Sequence, residues 1–535
     1  VIRAALARID QLARRAPFEA ALAIAAIAVV AWAVVTPFLV ARYPPMTDLP
    51  FHAAQTSTFR HYLDPSFHLR EQFELHPLAV PYMSMYAIGA ALMLVLPALA
   101  ATKIAAVVMI ALVPAGLAVM FHGMKKSPLL GLVGLGVTWC NLTHWGFLNF
   151  MGALGLFAMA VGFTLLLVDA PTRGRQIALA VTLVALFFTH IFRYPFALCA
   201  VVGAAVVVYP ATRRIRPIVA PLVPALLLMA LWLAVRPKEL VGDMGPIQIH
   251  KERLGEFVGL LGGAFYDPEE KIAFDRFTRI AAAVAAASLA AAAVAAIAGK
   301  PRRTGAAWDA GVTILPIACA AVFLGLFLTL PMQMGVWWYV YPREATATAF
   351  IALGVFPDLP RPIWLRAPLV VALAAGGVGI AAVVIRNYAR FDPLTRDFEA
   401  IVQQIPRAPK LCYLIFDESG STRANPPFIH LPAYVQADKG GWLSFHFAVW
   451  GASPVAYRPR DQPGAVVPPP VPLRWEWTPH LFDLRRQGPF FDWFLVRQGR
   501  APDALFAADP SIERVDHKGL WWLYRRRPDA AAPSP

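Results

Sequence analysis

From residue 18 to residue 385 the chain keeps returning to uninterrupted apolar runs of about 20 residues, the length a helix needs to cross the hydrocarbon core of a bilayer. No other feature limits the fold so strongly. Inside lipid every backbone N–H and C=O must be bonded within its own segment, so such runs are helices. Charged residues make up 15% of the chain, where a soluble protein carries about 25%. The first run, 18–40, is long enough to span and no small-residue cleavage site follows, so it is expected to stay as a signal anchor.

The net charge of +15 does not point to nucleic acid, because the basic residues form short clusters between apolar runs and no continuous face. They are a topology signal. Arg3, Arg8, Arg14 and Arg15 precede the first run and place the N-terminus in the cytoplasm. Five later clusters, around Lys125, Arg173, Arg213, Lys300 and Arg361, fall on the same side only if the marginal segment 82–98 does not cross. With that segment interfacial or re-entrant, the expected spans are 18–40, 102–121, 128–143, 149–168, 176–192, 194–212, 217–235, 280–298, 310–330, 343–359 and 367–385. About eleven transmembrane helices then occupy residues 1–386, with 41–101 as the first extracytoplasmic loop. The C-terminus falls outside.

After residue 386 the apolar runs stop, and 387–535 reads as a small extracytoplasmic α/β domain. Strands are expected at 411–416, 442–449, 491–496 and 520–524, and a helix at 392–404. Residues 463–472 form a proline-rich loop. The cysteines, Cys140, Cys199, Cys319 and Cys412, are far apart and imply neither zinc nor disulfides.

The polar residues with chemical potential collect in the outer turns. Tyr43-Pro44-Pro45-Met46-Thr47-Asp48-Leu49-Pro50-Phe51-His52 sets a carboxylate and an imidazole four residues apart, between prolines at the membrane surface. Asp48 reads either as the N-cap of an interfacial helix over 50–63 or as a general base or metal ligand, with His52 one turn on. The other candidates are His144 and Asn149, His190 and Arg193, and Arg343 with Glu344. Arg193 and Arg343 lie outside at span ends, against the positive-inside rule, and an arginine there can clamp a phosphate by paired hydrogen bonds. Lys103 adds a third cation, and all three are expected to line one cavity. In the long loop 236–279, Glu239, Asp243, His250 and Glu252 read as a solvated surface or as metal ligands, and Asp417-Glu418-Ser419 reads as a turn.

An anchor, an acidic residue in a helical first outer loop, about ten further spans and an outer C-terminal domain together resemble the GT-C superfamily of membrane glycosyltransferases. That superfamily includes protein O-mannosyltransferases, aminoarabinose transferases and oligosaccharyltransferases. At motif level the resemblance rests on Thr47-Asp48-Leu49-Pro50-Phe51-His52. It implies transfer of a sugar, hexosyl or pentosyl, from a polyprenyl-phosphate-linked donor to an extracytoplasmic lipid, glycan or protein, in a bacterial-type inner membrane. Asp48 would be the base, and the outer cations would hold the carrier phosphate. Many members show an adjacent acidic pair where this chain has Asp48 alone, which bears on whether a divalent metal ion takes part. A non-catalytic scaffold or a transporter are the alternatives; transport fits less well, because these spans carry few ionisable residues.

Overall fold

The structure, a computed structural model, describes residues 16–237, 247–262, 267–300, 304–420, 426–472 and 474–528. Seven helices among them are long and apolar enough to cross a membrane. They are Pro17–Val40 (α1), Ala98–Gly123, Leu148–Asp169, Arg216–Val235, Pro268–Ile297, Ala306–Thr329 and one that begins at Ile363 and continues to Val402. Each matches an expected span. The other four expected spans fall on shorter pieces: Pro128–Thr138, Arg173–Thr189, Arg193–Val207 and Val340–Ala352. Between the first two spanning helices lie Leu49–His61 (α2) and Ser84–Leu92 (α3), so Ala98–Gly123 is α4 and Leu148–Asp169 is α5. At nine residues, α3 is about 14 Å long, too short to cross.

Small residues decide how the membrane helices meet. A Cβ on Gly116 of α4 would lie 2.2 Å from the Gly155 carbonyl oxygen of α5, and one on Gly123 would lie 2.4 Å from that of Gly162. The two backbones therefore touch along two turns, as glycine and alanine permit in lipid where apolar burial gives helices little reason to associate.

The C-terminal part carries a five-stranded sheet in the order β5-β4-β7-β9-β8, built from β4 (Lys410–Ile415), β5 (Trp442–Leu443), β7 (Trp493–Arg497), β8 (Ile512–Lys518) and β9 (Trp521–Arg526). Strands β5, β4 and β7 run parallel, and β7, β9 and β8 antiparallel. The expected strand at 442–449 is cut to two residues, because Phe447–Trp450 turns into a 3-10 helix whose Ala448 N–H donates to His446 Nδ1 at 3.0 Å. Strand β8 was not expected: its run of charges hides it, since only one face of this edge strand is covered.

Several contacts join the C-terminal domain to the segment between α1 and α4. Strand β1 (Phe73–Leu75) of that segment pairs antiparallel with β6 (Val455–Tyr457), and Gln55 donates to Ser453 Oγ at 2.6 Å. Helix α2 was expected to lie at an interface. In the structure every residue from Leu49 to Thr58 is buried, because the helix Ala433–Lys439 of the soluble part packs over it.

Candidate functional site

Between the membrane helices and the soluble domain lies a cavity of about 1030 Å³, lined from both sides. Asp48 is in its wall, and the way it is held explains the sequence around it. The N–H of Thr47 donates to the His144 carbonyl at 3.1 Å, and the N–H of Asp48 to the Trp145 carbonyl at 3.0 Å. His52 Nε2 lies 2.8 Å from the Gly146 carbonyl. Three consecutive carbonyls of one turn thus brace the Asp48 segment. Gly146 has φ +96, and a Cβ there would come within 2.9 Å of Asp48 Cβ, so only glycine fits.

This arrangement assigns the His52 proton. A carbonyl only accepts, so Nε2 carries the hydrogen and Nδ1 accepts from Tyr86 OH, 2.9 Å away. Burial pushes the ring down to about 4, with the Gly146 bond opposing, so His52 is neutral. Expected as a catalytic group, it has both ring nitrogens engaged, one with the Gly146 carbonyl and one with Tyr86 OH.

Asp48 stands immediately before α2 but makes no side-chain cap bond, so capping does not account for it. Burial raises its carboxyl to about 8; the Arg343 guanidinium pulls the other way and Glu476 adds to the rise. His430 Nε2 lies 3.7 Å from Asp48 Oδ1. That imidazole is packed among Phe51, Phe445 and Phe447, and burial holds it near 3, neutral. Glu476, raised to about 7 by burial, has a buried Oε2 without a hydrogen-bond partner.

The remaining candidates divide. Asn149, His190 and Arg343 line the cavity with Asp48 and His52. Asn149 Oδ1, His190 Nδ1 and Arg343 Nε are buried without partners. Arg343 donates to the Trp338 carbonyl at 2.9 Å, packs on Phe147 at 4.4 Å and makes no ion pair among the described residues. The expectation of three cations in one cavity fails for the other two. Arg193 is spent on Glu344 in a two-pronged buried pair, one prong at 2.7 Å, and is stacked on Phe150 and Phe323. Lys103 donates to the Ala41 and Arg42 carbonyls at 2.8 and 3.3 Å, closing the end of α1. His144 is fully buried beside Trp139 and Tyr388, 3.3 Å from the tyrosine oxygen, and its carbonyl accepts from the Thr47 N–H.

Among the described residues no three His, Cys, Asp or Glu side chains converge as metal ligands. His250 pairs with Glu252 at 2.9 Å; Glu239 and Asp243 lie outside the described residues. The soluble domain supplies wall residues that the sequence analysis did not single out: His430, Arg474, Glu476 and Trp477, with Glu418 and Ser419 at the end of the turn after β4. The run Arg474-Trp475-Glu476-Trp477 was the available signal, two charges alternating with two indoles directly after the proline-rich loop.

No protein-family model and no curated protein matches this chain. Solved structures do. The crystal structure of ArnT from Cupriavidus metallidurans bound to undecaprenyl phosphate superposes with a TM-score of 0.54 at 13% identity, covering 95% of this chain and 99% of that one. The apo form of the same protein gives 0.54 at 14%, over 93% and 97%.

Proposed function

From the premise that this chain has the fold of the GT-C membrane glycosyltransferases, we propose that it transfers a sugar from a polyprenyl-phosphate-linked donor to an acceptor on the outer side of a bacterial inner membrane. The observation that carries this reading is the meeting of Asp48 and Arg343 in one cavity at the junction of membrane and soluble parts. A lipid-linked donor reaches that junction from the bilayer; an acceptor reaches it from water. The N-terminus is then cytoplasmic, and the sheet domain is extracytoplasmic.

Asp48 accepts the proton of the acceptor hydroxyl. That oxygen bonds to the donor's anomeric carbon as the bond from this carbon to the carrier phosphate breaks, and the phosphate leaves with the electron pair. Arg343, a cavity cation without a carboxylate partner among the described residues, faces the charge that develops on the phosphate. Asn149 and His190 offer their unpartnered atoms to the same ligand. Asp48, ionised only as pH approaches 8 in the empty site, gains charge most readily when a substrate hydroxyl is there to donate to it.

The test has two arms. Undecaprenyl phosphate should bind the purified protein in nanodiscs, and Arg343→Ala should weaken it about tenfold or more while Lys103→Ala leaves it unchanged. Radiolabelled lipid-linked sugars from bacterial membranes should be turned over by the protein and not by Asp48→Asn. Binding indifferent to Arg343, or turnover indifferent to Asp48, sinks the reading.

A further inference from the structure

The side chains of one cavity wall bond neither Asp48 nor Arg343, although two of its residues, Trp145 and Trp338, offer those groups their backbone carbonyls. Trp145, Trp338 and Trp477 come from three separate segments, yet their rings meet: Trp145 lies 5.5 Å from Trp338 and 6.3 Å from Trp477. Glu476, next in the chain to Trp477, is 5% exposed, and its Oε2 has no partner. The Arg474 guanidinium lies 5.8 Å from the Trp338 ring. A buried carboxyl with a free oxygen is costly unless a ligand completes it. A hydrocarbon tail cannot complete it.

A sugar ring can. Its C–H faces pack on indole π-surfaces, and its hydroxyls donate to a carboxylate oxygen. We infer that the Trp145–Trp338–Trp477 wall with Glu476 is the subsite for a sugar ring of the acceptor, so that the acceptor is a glycan or a glycan-bearing molecule. This rests on the glycosyltransferase reading and adds the class of acceptor. Two observations favour the acceptor over the donor sugar. Glu476 and Trp477 belong to the C-terminal domain and not to the membrane helices, and Trp477 is 38% exposed, so the wall reaches the molecular surface on the side of that domain. The Asp48 N–H is bonded to the Trp145 carbonyl at 3.0 Å, so a ring seated on this wall lies beside the base and can present a hydroxyl to it.

The full chain in nanodiscs, titrated with chitotetraose, cellotetraose and maltotetraose, tests this by saturation transfer from protein to sugar. At least one of the three should receive transfer. Glu476→Ala and Trp477→Ala should each weaken it about tenfold or more, and Trp477→Phe should retain most of it. Undecaprenyl phosphate binding, measured on the same variants, should stay unchanged and shows that they are folded. If none of the three sugars binds, or if binding survives both alanine variants, the inference is wrong. It is equally wrong if Trp477→Ala weakens binding of an undecaprenyl-phosphate-linked glucose and spares the tetrasaccharides, since the wall then holds the donor. If the sugars fail to bind while Arg343→Ala still weakens undecaprenyl phosphate, the inference falls and the glycosyltransferase reading survives. Sugars that bind through Glu476 while undecaprenyl phosphate ignores Arg343 would overturn both, leaving a glycan-binding wall without a donor site.

Discussion

Two arginines, Arg193 and Arg343, look equivalent in the sequence, each at the end of an apolar run and each beside aromatic residues. Their surroundings are opposite. Around Arg193 the protein supplies the countercharge: Glu344 takes two guanidinium nitrogens, Phe150 and Phe323 pack on the guanidinium and Nε is left unbonded, while the pair sits at 3% and 5% side-chain exposure. Around Arg343 the protein stops short, giving one carbonyl, one phenyl face and, among the described residues, no carboxylate within ion-pair reach. The nearby polar atoms of Asn149, His190 and Glu476 are also left unpartnered. A buried charge satisfied from within is architecture, and one left open among other open groups is waiting for a ligand.

The largest expected effect belongs to the open region. Asp48→Asn keeps the side chain's size and all the backbone bonds to the 144–146 turn, so the fold should hold while turnover falls about 100-fold to 10,000-fold, the usual worth of a general base. Donor affinity, measured on the same preparation, should barely move. A variant that retains near-normal transfer would make the Asp48 region architecture like the other.

The closed region should respond in stability. Arg193→Ala leaves Glu344 buried without its cation, a loss of about 3–5 kcal/mol in pairs of this kind. Arg343→Ala removes one carbonyl bond and one ring contact and should cost roughly 1–2 kcal/mol. Thermal unfolding of the two variants side by side reads the difference. Equal losses would erase the distinction between the regions.

A third expectation sharpens the open region through pH. A base works ionised, and burial holds the Asp48 carboxyl at about 8, so kcat/KM should climb with pH and level off above that value. Between pH 6 and the plateau the rise should be about 100-fold, one decade per pH unit. Arg343, which favours the ionised form, should when removed move the climb to higher pH. A flat profile from pH 6 to 9 would show that Asp48 is not the group that titrates.

The contrast between the arginines also marks where sequence reading stops. Apolar runs of spanning length were legible because lipid leaves the backbone no alternative to a helix, and seven of them appear as long helices at the expected places. The strands at 410–415, 493–497 and 521–526 were legible from their branched and aromatic residues. Asp48 stood out by its prolines. What the sequence could not tell is which charges meet: Arg193 and Glu344 are 151 residues apart, and nothing local distinguishes a paired arginine from an open one. Likewise His430 and Glu476 reach Asp48 only through long-range docking, in which the helix Ala433–Lys439 packs on α2 and β6 pairs with β1, two three-residue strands too short to leave a pattern. The turn at 144–146 was noticed for its side chains and matters for its carbonyls, which every residue type possesses.

The smallest expected effect tests that turn. At Gly146 an alanine meets two obstacles: φ +96, which disfavours any Cβ, and the Asp48 Cβ at 2.9 Å. Left-handed backbone costs a residue with a Cβ about 1–2 kcal/mol, so a modest drop in unfolding temperature is expected. The second obstacle acts on the site. Relieving the contact moves Asp48 relative to the cavity, and since a 1 Å misplacement of a reacting group costs up to about 100-fold, Gly146→Ala should lower turnover about tenfold with donor affinity intact. The α4–α5 contact lies apart from this turn and supplies the control: Gly162→Ala, which presses α5 into the Val119 carbonyl of α4 at 2.5 Å, should destabilise the helix pair and leave the turnover of the surviving folded protein near normal. If Gly146→Ala behaves like Gly162→Ala, losing stability and nothing else, then the three carbonyls merely close a loop, and the position of Asp48 is not what the 144–146 turn exists to fix.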